Sequence, residues 1–147
     1  MTTGAAVVAE ARKWLGTPYR HQGTRRGAGT DCLGLVRGVW RAVVGQEPTL
    51  IPAYSEDWSE PQREEALLDA AMRWLRPKPI SSTDIGDVLV FRMRSNNVAK
   101  HLGIVAELQN QPTFLHAYTG HGVVETYLTL PWSRRVVGRF EFPSGEN

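Results

Sequence analysis

The chain has 147 residues, 41% of them hydrophobic and 22% charged, a balance that builds the core of one ordinary domain and excludes a disordered chain. Its net charge of +2, from 17 basic and 15 acidic residues, is too small for a nucleic-acid binder, which needs a dense basic stripe. A single cysteine excludes an internal disulfide framework and a multi-cysteine zinc site, and no run of about 18 apolar residues is present to span a membrane.

The opening, Met1 to Glu10, lacks the basic start and apolar run of a signal peptide, so synthesis in the cytoplasm is expected. One domain over residues 1–147 is expected, without repeat or linker. Its ends, Met1 to Gly4 and Pro143 to Asn147, should be loose. The first predicted helix runs from Ala5 to Leu15. Its apolar positions Ala6, Val7, Ala11, Trp14 and Leu15 follow a helical period, and Gly16 and Pro18 stop it. Thr17 to Gly29 reads as a loop rich in glycine and arginine. Arg20, Arg25 and Arg26, with Arg37 and Arg41 beyond, form either a solvated surface or a mildly cationic rim for an anionic polymer.

A second helix should begin near Asp31, capped by Thr30 or Asp31, run through Val44 and stop at Gly45. Its stripe of Cys32, Leu35, Val36, Val39 and Val43 is that of a core-facing helix. Leu50 to Tyr54 reads as an irregular connection. A third helix should start near Ser59 with Pro61 in its first turn and end before Pro77, burying Ala66, Leu67, Ala70, Ala71, Trp74 and Leu75. Pro77, Pro79 and Ser81-Ser82 mark a break. From Gly86 the rhythm changes to short β runs at Asp87 to Met93, His101 to Glu107, Thr113 to Tyr118, Gly122 to Tyr127 and Arg135 to Phe142. The pattern predicts an α+β domain in which N-terminal helices pack on an antiparallel sheet.

A lone cysteine is ordinarily a small buried hydrophobe. Cys32, however, falls in the first turn of a predicted helix, where unpaired N–H groups and the positive end of the dipole favour a thiolate. The dipole supplies about 0.3–1 kcal/mol, ~2 at most, against about 1.36 kcal/mol per pKa unit. It moves a thiol by roughly one unit, so activation needs a positive partner, expected to be a histidine. Of four histidines, His21 and His121 fall in loops. His101 lies on the strand face shared by Gly103 and Val105, opposite Leu102 and Ile104. A hairpin centred near Leu108 and Gln109 would set His101 directly opposite His116, as base and orienter. The alternative is two histidines satisfied separately at a sheet edge.

These residues resemble the NlpC-type family of cell-wall cysteine peptidases, whose core is papain-like. The resemblance runs from Ala11 to about Phe142. Its carriers are Leu15-Gly-Thr-Pro-Tyr19, Gly23-Thr24, Asp31-Cys-Leu-Gly-Leu-Val36, Gly86-Asp-Val-Leu-Val-Phe91, His101-Leu-Gly-Ile104 and Phe114-Leu-His-Ala117. His21-Gln-Gly-Thr24 and the run from Asp31 to Trp40 are similar to the branch found in phage tails and gene transfer agents.

The resemblance implies Cys32 as nucleophile, His101 as general base and His116 as the polar residue that orients it. It further implies Tyr19 lining the site, Asp31 receiving the substrate's free amine, and no metal or cofactor. The implied substrate is bacterial peptidoglycan, cut between D-glutamate and the diamino acid of the stem peptide. The implied partners are tail or baseplate proteins that carry the enzyme to the periplasm of a target cell. Activity is expected to fall in mild acid as His116 gains a proton. Two positions depart from the family pattern. Leu33 stands where a serine that can contact substrate is usual, and His21-Gln22-Gly23 replaces an aromatic residue followed by two glycines. The first favours one alternative, an inactive structural tail-tip module; a second alternative is an amidase or acyltransferase with the same Cys–His chemistry. Among the five tryptophans, Trp14, Trp40 and Trp74 are expected in the core, while Trp58 and Trp132 remain open.

Overall fold

A computed structural model describes residues 3–48, 66–93 and 99–143. Helix α1 (Gly4–Arg12) is capped by the Thr3 hydroxyl, which accepts the Ala6 N–H. It ends three residues short of expectation, in turns that bury Trp14 at 3% but leave Leu15 44% exposed. The segment read as loop contains a small antiparallel pair, β1 (Thr24–Arg25) and β2 (Gly29–Thr30). Helix α2 (Cys32–Val43) starts on Asp31 as N-cap, and Gly45 at φ +138 closes it. Its buried face is lined by Leu35, Val36 and Val39. Gly38 lets the Trp14 ring lie against α2, since a Cβ there would overlap the indole.

Helix α3 is described over Ala66–Trp74. Its expected start near Ser59 and Pro61, the connection from Leu50 to Tyr54, and Trp58 lie outside the described residues. Leu67, Ala71 and Leu75 carry its buried face, and Ala66, Ala70 and Trp74 are half-buried. The break expected at Pro77 is a strand, β3 (Arg76–Lys78), at the sheet edge. Proline survives there because an edge residue need not donate to a second neighbour.

The remaining strands are β4 (Val88–Arg92), β5 (Ala99–Glu107), β6 (Thr113–Tyr118), β7 (Gly122–Tyr127) and β8 (Val136–Glu141), with a one-turn helix α4 (Leu130–Ser133) before β8. They form one six-stranded sheet in the order β3-β8-β4-β5-β6-β7 with every neighbouring pair antiparallel. The chain from β4 to β7 is a meander of hairpins. The return after α4 then inserts β8 between β3 and β4. The architecture is therefore α+β, as the patterning predicts. Gly86-Asp87 has a structural role here: Gly86 turns at φ +85, and the buried Asp87 carboxylate accepts from Arg139 Nη1 at 2.8 Å and Lys78 Nζ at 2.9 Å, tying β3 and β8 to the start of β4.

The two faces of the sheet carry separate apolar clusters. Val88, Val90, Leu102, Ile104, Leu115 and Phe140 pack beneath the helices. Leu89, Phe91, Val105 and Phe114 form a smaller cluster on the other face, covered by Trp132 and Val136. Strand alternation assigns His101 to the second face and Leu102 to the first. No helix among the described residues is long and apolar enough to cross a membrane.

Candidate active site

Asp31 fixes where Cys32 stands. Its Oδ1 accepts the Gly34 N–H at 2.8 Å, the N-cap bond, and its Oδ2 accepts the Gln22 N–H at 2.7 Å. The carboxylate thus ties the loop before α2 to the first turn of the helix. Gly34 belongs to the same joint, since a Cβ there would collide with the Gly23 carbonyl. The loop and helix start then form one wall of a cleft lined by Tyr19, His21, Asp31 and Cys32; the other wall carries Met93, Lys100, His101, Ala117, Tyr118 and Thr119. Cys32, His101, Tyr19 and Asp31 therefore meet in one cavity.

The thiol sits where two strands part. The β5–β6 ladder runs from Glu107↔Thr113 to Ile104↔Leu115 and does not continue toward the start of β5. There the Leu102 N–H points at the Cys32 sulfur, as do the N–H groups of Leu33 and of Cys32 itself. The last two belong to the first turn of the helix, which offers them no intrahelical acceptor.

His101 Nε2 and His116 Nδ1 share a 2.7 Å hydrogen bond. The expected register is off by two: extending Ile104↔Leu115 by one residue puts His116 across from Gly103. The rings therefore meet on a diagonal of the shared face. Gly103 belongs to this packing, since a Cβ would come within 2.6 Å of Phe114 Cδ2. With Nε2 committed to His116, the nitrogen of His101 left for the thiol is Nδ1. Trp132 packs over both rings, at centroid distances of 5.9 Å from His101 and 5.3 Å from His116.

Electrostatics correct the expectation of a resting thiolate. Burial first, and then the charge of Asp31, push the Cys32 thiol up to about 12, although three N–H groups oppose the shift. Burial, with a smaller contribution from His116, pushes His101 down to about 3. Burial and His121 push His116 down to about 4. Thiol and imidazole, which line the same cleft, are therefore both favoured in their neutral forms.

Several residues at the site escaped the sequence reading. His21, taken for a plain loop residue, lines the cleft 3.9 Å from Asp31 Oδ2. Tyr118 stacks on His116 at 5.3 Å and on His121 at 5.3 Å. Its position two residues after His116, on the same strand face, was a usable signal. The anticipated cationic rim is partly consumed internally, because Arg37 and Arg41 both bond Glu47, at 2.6 and 3.1 Å. Leu33 does not line the cleft. It is 6% exposed and, with Leu67, Ala71 and Leu102, lines an apolar cavity beside α3. Among the described residues no group of three or more His, Cys, Asp or Glu side chains is placed to hold a metal ion.

The model of the NlpC/P60 family matches residues 16–140. The NlpC/p60 domain of the peptidoglycan hydrolase SagA is a similar solved structure, 25% identical, with a TM-score of 0.64 over 96% of this chain and 100% of that one. An NLP/P60-family protein similar to lipoproteins, from Staphylococcus aureus, superposes with a TM-score of 0.60 at 20% identity, covering 94% of this chain and 40% of that one. An NlpC/P60-family protein from Bacillus cereus gives 0.64 at 18% identity, covering 95% and 40%. This chain thus spans about two fifths of the length of the last two proteins. No functionally curated protein matches the sequence. The papain-like α+β arrangement is the fold these structures share with this chain.

Proposed function

The chain belongs to the NlpC/P60 family, and from that premise we propose that it is a cysteine peptidase that hydrolyses bacterial peptidoglycan, with Cys32 as nucleophile, His101 as general base and His116 as its orienting partner. The observation that carries the reading is the 2.7 Å His101–His116 bond, which leaves Nδ1 of His101 as the free ring nitrogen in the cleft shared with Cys32. In the reaction the Cys32 thiol proton passes to His101 Nδ1 as the sulfur attacks the scissile carbonyl. The Cys32 and Leu33 N–H groups hold the oxyanion. His101 then protonates the leaving amine, and a thioester remains. Water, giving its proton to His101, hydrolyses the thioester and restores the thiol.

The finer reading places the scissile bond between D-glutamate and the diamino acid of the stem peptide. Tyr19 lines the subsite and Asp31 receives the substrate's free amine. Asp31 accepts the Gln22 and Gly34 N–H groups and lines the cleft, where its charge faces an incoming ammonium. The reading also places the enzyme on a phage-like tail or gene transfer agent, docked to baseplate proteins and opening the wall from the periplasm of the target cell. The residues favouring that branch are His21-Gln-Gly-Thr24 and the run from Asp31 to Trp40. The inactive-module alternative drew its weight from Leu33, which turns into the core and takes no part in the cleft.

Alkylation of the thiol in mild acid is a poor test, because a thiol pushed up to about 12 reacts slowly whether or not it is catalytic. Turnover is the better one. Purified sacculi digested with wild-type protein should release stem-peptide fragments, identified by mass, and Cys32→Ala should release none while keeping its circular dichroism spectrum. Equal release by the two proteins would remove Cys32 from the mechanism.

A further inference from the structure

The polar chain that begins in the cleft does not stop at His116. The outer nitrogen of that ring, Nε2, lies 2.8 Å from the hydroxyl of Thr126 on β7. Strands β6 and β7 pair Phe114 with Thr126 and His116 with Val124, so Thr126 shares the histidine face and meets His116 on a diagonal. We propose that Thr126 is a positioning residue for the reaction: its oxygen accepts the Nε2–H of His116, holding that ring by its outer edge so that Nδ1 stays bare to accept from His101. The inference rests on the assignment of Cys32, His101 and His116 given above.

The direction of the chain follows from counting protons. A neutral imidazole carries one N–H and one lone pair. For His101 to take the thiol proton at Nδ1, its own N–H must be at Nε2. That N–H points at His116 Nδ1 across 2.7 Å, so Nδ1 must be unprotonated and the proton of His116 must sit at Nε2. An acceptor is then required at the outer edge, and Thr126 Oγ1 occupies that place. In the opposite set of tautomers His116 donates to His101, and His101 presents an N–H to the thiol, which has no base.

Packing does not make this choice. His116 is sandwiched between Phe114, at a centroid distance of 4.3 Å, and Tyr118, at 5.3 Å with planes 28° apart. Those contacts fix the plane of the ring but are nearly unchanged by a half-turn that exchanges its edges. Edge contacts decide, one with His101 and the other with Thr126. In the direction the reaction requires, the Thr126 hydroxyl is the acceptor that supports the Nε2–H form of His116. Replacing it with a methyl leaves the outer edge unheld.

Thr126→Val and Thr126→Ser test this, since valine keeps the branched shape that suits a strand. On purified muropeptides, Thr126→Val should lower kcat roughly 3- to 10-fold, the factor that one hydrogen bond supplies, with KM unchanged. Thr126→Ser should restore kcat. Imidazole 15N NMR, recorded without substrate, should give the Nε2–H tautomer for His116 in wild type and Thr126→Ser, and mixed tautomers in Thr126→Val. Wild-type kcat and wild-type His116 nitrogen shifts in Thr126→Val would overturn the inference. So would a serine variant as impaired as the valine one, which would trace the effect to the lost methyl. If the wild-type protein turns over no muropeptide, the proposed function fails, and the NMR comparison alone decides the role of Thr126.

Discussion

Acid should destabilise this protein steeply, and two buried rings set the amount. His101 and His116 are 7% and 1% exposed, and the fold holds them neutral, at about 3 and about 4 against 6.5 for an ordinary histidine. Both folded values lie below the unfolded one, so the unfolded chain binds more protons throughout the interval between them. Stability is fully present above 6.5 and is lost as the pH falls toward 4 and then 3. Each ring costs ~1.4 kcal/mol per pH unit below 6.5. Near pH 5 that is about 2 kcal/mol apiece and about 4 for the pair, out of a total of roughly 5–15 for a domain. Urea unfolding followed by tryptophan fluorescence at about pH 7 and about pH 5 measures it. The comparison is with the His101→Gln/His116→Asn double variant, which has neither ring to titrate. Wild type should lose about 4 kcal/mol between the two conditions, and the double variant less than about 1. Equal losses would mean that the rings charge freely inside the fold, and the neutral-pair argument would be refuted.

Leu33→Ser restores the family's usual residue but should act on the core alone. It should lower stability by about 2–4 kcal/mol through the cavity and the buried hydroxyl, read from the urea midpoint, while the product pattern from muropeptides stays unchanged. Gly103→Ala should cost about 1–3 kcal/mol by overpacking, because the added methyl meets Phe114 and Phe91, and it should also lower kcat by displacing the rings beside it. A variant of unchanged stability would show that the aromatic cluster yields at no cost.

What could be read from the sequence was what short-range chemistry dictates. The start of α2 was legible because Asp31 is a strong N-cap and a glycine closes the helix. The faces of β5 were legible because alternation places His101 with Val105 and Leu102 with Ile104. The register was not: the turn carries the pairing to Glu107↔Thr113, and the irregularity between Val105 and Glu107 then sets His116 across from Gly103 rather than Ile104, which puts it on the His101 face; neither has a signature in the residues. Strand β3 was hidden by Pro77, because composition does not tell an edge position from a break. Thr126 was invisible as a site residue for the same reason as the register: it acts through a neighbour on an adjacent strand, and needs the pairing to be known.

The largest departure concerns charge, and it follows from the residue that caps the helix. A helix start favours a thiolate by about one pKa unit, and three N–H groups do point at the Cys32 sulfur. Yet the cap that makes the helix start well is itself an anion, one residue from the nucleophile, and its repulsion adds to a burial effect that is larger still. The features that place Cys32 well are therefore those that keep it protonated. A thiol of this kind reacts slowly with oxidants and alkylating agents, because the thiolate is the reactive form; offsetting the carboxylate lowers its pKa by removing the smaller of the two effects. Under the function proposed above, the substrate's ammonium does that on binding at Asp31, and the developing oxyanion is then met by the helix N–H groups. Recognition of the free amine and activation of the sulfur become one electrostatic event.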